Sequence, residues 1–224
     1  MNREELMRVL CADLPRVIAV IGGGGKTTTL YTLGEALAGM GRSVLLTTTT
    51  HIGITPFAVV PNSAEELNRT LAKGKAVLAG VPIDDHKMNG IPQQWYPLLQ
   101  VDHIIVEADG SRNLPLKVHR ETEPVVPQGT QLLLQLAGLS ALDRPVGETV
   151  HRYELLGLLP EQPVDEALAA RLLVRGLAAS GYTGRSLVLL NQADTPELER
   201  RAQRIAQLLR TQGITALPVH LKDC

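Results

Sequence analysis

Short runs of β-branched and leucine-rich residues recur along the chain. Each ends in Gly, Thr, Asn or an acidic residue, and longer stretches of helical period separate them. That alternation is the mark of repeated βα units and predicts a mainly parallel sheet. The strands fall at residues 16–21, 43–48, 75–79, 103–107, 131–136, 186–191 and 215–221. A helix is expected from Lys26 to about residue 40, with Gly41 at its C-cap. A second begins at Asn62 or Ser63, with Glu65 and Glu66 in its first turn. Two more cover residues 165–179 and 196–212, the latter with Thr195 as N-cap, Pro196 in the first turn and Gly213 past its end. Residues 82–97, rich in Pro, Asp and Gly, read as a loop or lid near a site. The pattern gives an α/β fold, a central sheet of about seven strands with helices on both faces, and a single domain over residues 1–224.

Composition narrows the class. Hydrophobic residues make up 44% of the 224 but aromatics only 3%, so Leu, Val, Ile and Ala must fill the core, which suits buried parallel strands. A formal net charge of -1 gives no general electrostatic reason to bind nucleic acid or an anionic membrane. Cys11 and Cys224 lie near opposite ends, so neither a disulfide framework nor a cysteine metal site is signalled, and a cytoplasmic setting is expected. Arg3, Glu4, Glu5, Arg8 and Asp13 break up the first residues, leaving no signal-peptide stretch, and no later run is long enough to span a bilayer.

The chemistry begins where the first strand runs into Gly22-Gly23-Gly24-Gly25-Lys26-Thr27-Thr28 and a helical pattern follows. Strand, glycine loop and helix in that order form a phosphate cradle. Glycines let successive N–H groups approach phosphate oxygens, and the helix N-terminus adds its partial positive charge. Lys26 is expected to reach the β- and γ-phosphates, Thr27 to offer a hydroxyl to Mg²⁺, and Thr28 to hold the α-phosphate. The P-loop pattern has one defect, Val20 at its first glycine position, which Gly22 to Gly24 can offset. The second strand ends in Thr47-Thr48-Thr49-Thr50-His51, at the sheet edge where open α/β folds bind ligands. Thr49 is a candidate metal ligand there, against the plain alternative that Thr favours strands.

After Ile104-Ile105-Val106 come Glu107, Ala108, Asp109 and Gly110, which resemble a Walker B strand followed by the DxxG loop of GTPases. Glu107 would orient a water on Mg²⁺, Gly110 would sense the γ-phosphate, and Asp109 would position an attacking water. Arg112, Lys117 and Arg120, with His119, form the clearest local positive cluster. Arg112 and Lys117 are candidates for stabilising transition-state charge, and a solvated loop or partner surface is the alternative. Leu190-Asn191-Gln192-Ala193-Asp194 resembles the NKxD base-recognition motif, with Gln192 in place of Lys. Asp194 would read guanine and Asn191 would brace the loop or touch the base; the alternative is that Asp194 caps the following helix.

Taken together, the glycine loop at Gly22, TTTTHI at Thr47, EADGSRNLPLKVHRETEPVVP from Glu107 and LNQAD at Leu190 closely resemble the YqeC family of selenium-dependent hydroxylase accessory proteins. The resemblance implies a cytoplasmic P-loop NTPase engaged in maturation of a selenium-dependent molybdenum hydroxylase. The expected activity is Mg²⁺-dependent hydrolysis of a nucleoside triphosphate, with GTP favoured slightly over ATP. Two alternatives stand beside it: an ATP-dependent ligase or kinase, since Mur ligases also carry a GKTTT loop, and a nucleotide-binding scaffold that hydrolyses little.

Overall fold

The computed structural model describes residues 6, 7, 9, 10 and 15–221. Cys11, Cys224, Arg3, Glu4, Glu5, Arg8 and Asp13 lie outside them. Seven strands form one parallel sheet: β1 (Val17–Gly22), β2 (Ser43–Thr48), β4 (Lys75–Leu78), β7 (His103–Glu107), β9 (Leu132–Gly138), β11 (Ser186–Asn191) and β12 (Ala216–Val219). Their order across the sheet is β12, β11, β9, β1, β7, β2, β4, with every pairing parallel. The expected α/β class and seven-stranded parallel sheet are what the chain forms.

Alternation within the strands explains why both faces are covered. Ile18, Val20, Val44, Leu46, Ile105, Leu187 and Leu189 point into one core, which Leu30, Leu33 and Leu37 of α1 (Lys26–Gly39) close. Val17, Leu45, Ile104 and Val106 point the other way, against Ala64 and Leu67 of α2 (Ala64–Thr70). Val188 and Leu190 share that opposite face with α4 (Glu166–Ala179) and α5 (Pro196–Arg210) through Leu172, Leu173, Ala202, Ile205 and Leu209. Successive side chains of a strand point to opposite faces, so strands that are apolar at every position need helices on both sides.

The helix ends follow their local chemistry. The Ser63 side chain accepts from Glu66 N–H, Asp165 from Leu168 N–H and Thr195 from Leu198 N–H, each satisfying a first-turn donor. Past α1, Gly41 takes a left-handed conformation.

One expectation changes. Residues 82–97 are not a simple loop. β5 (Gly80–Pro82) and β6 (Lys87–Gly90) pair antiparallel, and β3 (His51–Gly53) joins β6 to make a small three-stranded sheet. The turn between β5 and β6 closes because the Asp84 carboxylate accepts from the N–H groups of His86 and Lys87, both at 2.8 Å. Farther along, β8 (Leu116–Lys117) and β10 (Val150–His151) form a second, two-residue parallel pair; between them lies a single turn, α3 (Val146–Thr149).

Candidate functional site

β1 is the middle strand of the sheet, flanked by β7 and β9. The chain leaves β1 and β7 toward opposite sides before returning, so a crevice opens at the carboxyl ends of these strands. The glycine loop fills it. Gly22 has φ of 95°, and a Cβ there would lie 2.3 Å from the Leu136 carbonyl oxygen; Gly24 has φ of 78°, and a Cβ there would lie 2.3 Å from Gly138 N. Gly22 and Gly24 are therefore required by close packing against the end of β9, and Gly23 by packing against Leu114 and Pro115, while Gly25 has φ of 125° and faces Asn191; Val20, buried inside β1, plays no part in the turn.

The loop is tied down at several points. Gly23 N–H donates to Leu136 O at 3.1 Å, Gly24 N–H to Leu114 O at 3.2 Å, and Asn191 Nδ2 to Gly24 O at 2.9 Å. Gly22 N–H donates to both oxygens of Asp109, at 3.1 and 2.9 Å. The first N–H groups of α1, from Lys26 to Thr28, have no intrahelical acceptor by construction and face the same opening, with the positive end of the helix dipole behind them. Lys26 Nζ sits among them, donating to Gly22 O at 2.6 Å, 3.3 Å from Asp109 Oδ1 and only 4% exposed. The strand, loop and helix together are a P-loop, and their chemistry is capture of an oxyanion.

At the mouth of the loop the Thr27 hydroxyl donates to Glu107 Oε2 at 3.0 Å. Burial raises the Glu107 carboxyl above its ordinary range against the opposing pull of Lys26 and Thr27. A divalent cation beside it would favour the charged form. The donor set is oxygen only, and among the described residues no three His, Cys, Asp or Glu side chains gather into a protein cage. Such a set fits Mg²⁺, which takes few protein ligands and fills its sphere with phosphate and water.

A cleft of about 1190 Å³ opens over the loop. Gly24, Gly25, Lys26, Thr27, Thr28, Thr49, Glu107, Gly110, Arg112 and Asn191 all border it, so the fold brings most of the candidate residues to one place. Within the threonine run, Thr47 accepts from Ile91 N–H and Thr48 donates to Glu107 O, both buried, whereas Thr49 borders the cleft and donates to Val125 O at 2.8 Å.

Five candidates do not border this cleft: Gly22 and Gly23, packed at the base of the loop, and Asp109, Lys117 and Asp194. Asp109 is fully buried beneath the loop. Besides Gly22 N–H, it takes His119 Nε2 at 2.6 Å and lies 3.3 and 3.4 Å from Lys26 and Lys117. Burial pushes its carboxyl up, but the His119 hydrogen bond and the two lysines outweigh this and hold it below the usual range. A carboxylate so engaged braces the loop from within. Lys117 likewise points inward, its side chain 0% exposed, donating at 2.6 Å to both Gly110 O and Glu123 Oε2. Asp194 is exposed and does not border the cleft, where Asn191 and Gln192 do. Thr195, not Asp194, caps α5.

The geometry also brings in residues that sequence reading passed over. Glu123 is gripped by Lys117 and Arg152, and these partners overcome its burial and bring its carboxyl down to about 2. His151 and Arg152 border the same cleft as the loop. The only signal for them was the position of Glu123 within the long block from Glu107 to Pro127; nothing around His151 forms a motif.

The chain matches the model of the YqeC protein family over residues 18–154. It belongs to the YqeC family. The match takes in the glycine loop, Glu107, Lys117, Glu123 and Arg152; Asn191 and α5 lie beyond it. YqeC of Escherichia coli (strain K12) is 33% identical to this YqeC-family chain over 168 residues, spanning 66% of the chain and 63% of that protein's length. Among solved structures, HypB from Helicobacter pylori in complex with nickel is similar over 99% of this chain and 86% of its own, at 12% identity and a TM-score of 0.42. That likeness is too distant to bear on the site. No described helix is long and apolar enough to cross a membrane.

Proposed function

We propose that this YqeC-family chain is, as a single unit, a Mg²⁺-dependent nucleoside triphosphatase, with GTP favoured over ATP, acting as an accessory factor in maturation of a selenium-dependent molybdenum hydroxylase. The observation that carries the nucleotide reading is the Thr27 to Glu107 hydrogen bond beside Lys26, which joins the phosphate loop and the acidic strand end into one oxygen-lined corner. Thr27 and Glu107 would hold Mg²⁺, with Thr49 at the same rim, and the ion would supply charge neutralisation between phosphate oxygens. The first-turn N–H groups and Lys26 bind and orient the phosphates. Asp109 keeps Lys26 and Gly22 in place from below. The Gly110 carbonyl is anchored by Lys117, which fixes the backbone expected to face the terminal phosphate. The guanine preference rests on Asp194, and the maturation role on the family resemblance alone.

A cleft of about 1190 Å³ leaves room beside the phosphate loop, and this is the observation behind a second reading, a ligase or kinase with an acceptor beside the nucleotide. Turnover by the purified protein alone supports the hydrolase, and turnover only with a second substrate supports the alternative. The site itself is tested by Lys26→Ala. Calorimetry should show GTP and ATP binding weakened at least tenfold in a folded protein, since charge-assisted hydrogen bonds to phosphate are about 1.5 to 3 kcal/mol each. Unchanged affinity would remove the loop as the nucleotide site.

A further inference from the structure

We infer that Arg152 is the cation that meets the terminal phosphate of a nucleotide seated in the glycine loop, and that Glu123 is the residue positioning it. The inference rests on the nucleotide reading above and goes beyond it in assigning the wall of the cleft that Arg152 lines.

Elimination and placement lead to the same residue. Of the cations expected near this phosphate, Lys117 is sealed beneath Gly110, and Arg112 sits exposed on a turn at φ of 50°, with no side-chain hydrogen bond or ion pair among the described residues to fix it. Arg152 borders the same cleft as Lys26, Thr27 and Gly110, with its side chain 17% exposed, so it is held yet reachable. Its location is built by pairing: His151 stands in register with Lys117 across β10 and β8, and Val118 N–H donates to His151 O at 2.9 Å. The next residue, Arg152, takes a left-handed backbone conformation at φ of 63°, which costs a non-glycine residue energy and turns the chain abruptly at this point.

Three successive contacts then link the guanidinium to the phosphate-facing backbone. Arg152 is bound by Glu123, Glu123 by Lys117, and Lys117 by the Gly110 carbonyl. Glu123 accepts one N–H from each terminal nitrogen of Arg152. An arginine has five such donors, so one on each terminal nitrogen stays available, and the buried Nε has no partner among the described residues. Glu123 faces both Lys117 and Arg152, and Asp109 also lies beside Lys117, so the positive charge that reaches the cleft here is that of the guanidinium. His151 registers it: burial together with Arg152, Lys117 and Arg112 brings its pKa down to about 4. A fixed, partly desolvated guanidinium on the rim of the phosphate cleft is suited to a phosphoryl oxygen, which it can meet with an N–H left free on a terminal nitrogen.

The test compares calorimetric affinities for a slowly hydrolysed GTP analogue carrying three phosphates and for GDP, both with Mg²⁺, alongside turnover and melting temperature. In Arg152→Ala the triphosphate affinity should fall about tenfold or more, with GDP affinity within about twofold, and turnover should fall further than binding. Arg152→Lys should recover part of the triphosphate preference, since charge without the planar fork remains. Glu123→Gln, which keeps Arg152 but loosens its aim, should lie between, an effect that a purely structural ion pair would not have on the ratio of the two nucleotides. If Arg152→Ala melts below the assay temperature, Arg152→Lys and Arg152→Gln decide the same ratio. An unchanged ratio in folded Arg152 variants overturns the inference while the nucleotide site stands. Failure of the wild-type protein to bind either nucleotide sinks the reading beneath it.

Discussion

At the scale of single residues, the site depends on Asp109. Its carboxylate receives Gly22 N–H and His119 and lies beside two lysines, all out of contact with water. Breaking a buried charge cluster by removing one member leaves the others uncompensated, which costs on the order of 3 to 5 kcal/mol. Asp109→Asn should therefore lower the denaturant midpoint strongly, and the protein that remains folded should bind nucleotide weakly because Lys26 has lost its anchor. An unfolding free energy within about 0.5 kcal/mol of wild type would contradict this role. His151 gives a second residue-level prediction, in pH. Its folded pKa of about 4 lies below the ordinary 6.5, so between those values the unfolded chain binds the proton more readily. Its contribution to stability is full above about 6.5 and is lost as pH falls toward 4. The melting temperature should drop between pH 7 and pH 5, and His151→Asn should flatten that slope; an identical slope in the variant would show that other groups set it.

At the scale of elements, α5 separates two readings of the LNQAD segment. Thr195 accepts the Leu198 N–H and so caps the helix, leaving Asp194 exposed and free of that duty. Thr195→Ala should cost about 1 kcal/mol of stability with no change in nucleotide choice. Asp194→Ala should leave stability near wild type and cut GTP affinity roughly ten- to a hundredfold with ATP much less altered, because a carboxylate can accept from two guanine donors that adenine lacks. Equal losses for both nucleotides would remove Asp194 from base recognition. Gln192, in a left-handed conformation with its side chain accepting from Ser140 N–H, is committed to the loop and supplies no cation over the base. Any preference for guanine should accordingly be modest.

At the scale of the whole molecule, the parallel sheet and its helices were legible because strands buried on both faces must be apolar throughout, and helix caps must carry particular side chains. β3, β5 and β6 were not, since they are three or four residues long and leave Val81 and Lys87 exposed, so no alternation marks them. The phosphate loop could be read because its chemistry lies in consecutive residues. Arg152 could not, because its place depends on a two-residue pairing between β8 and β10 that no local pattern announces. The same dispersal bears on how the protein comes into being. Gly24 is braced by Asn191, 167 residues further along, and rests against Gly138. As the chain leaves the ribosome, the glycine run therefore emerges before its braces do. Competence to hold a phosphate should arrive only after β11 has joined the sheet. Nascent chains stalled before that strand should be unable to sequester nucleotide, however complete their motif.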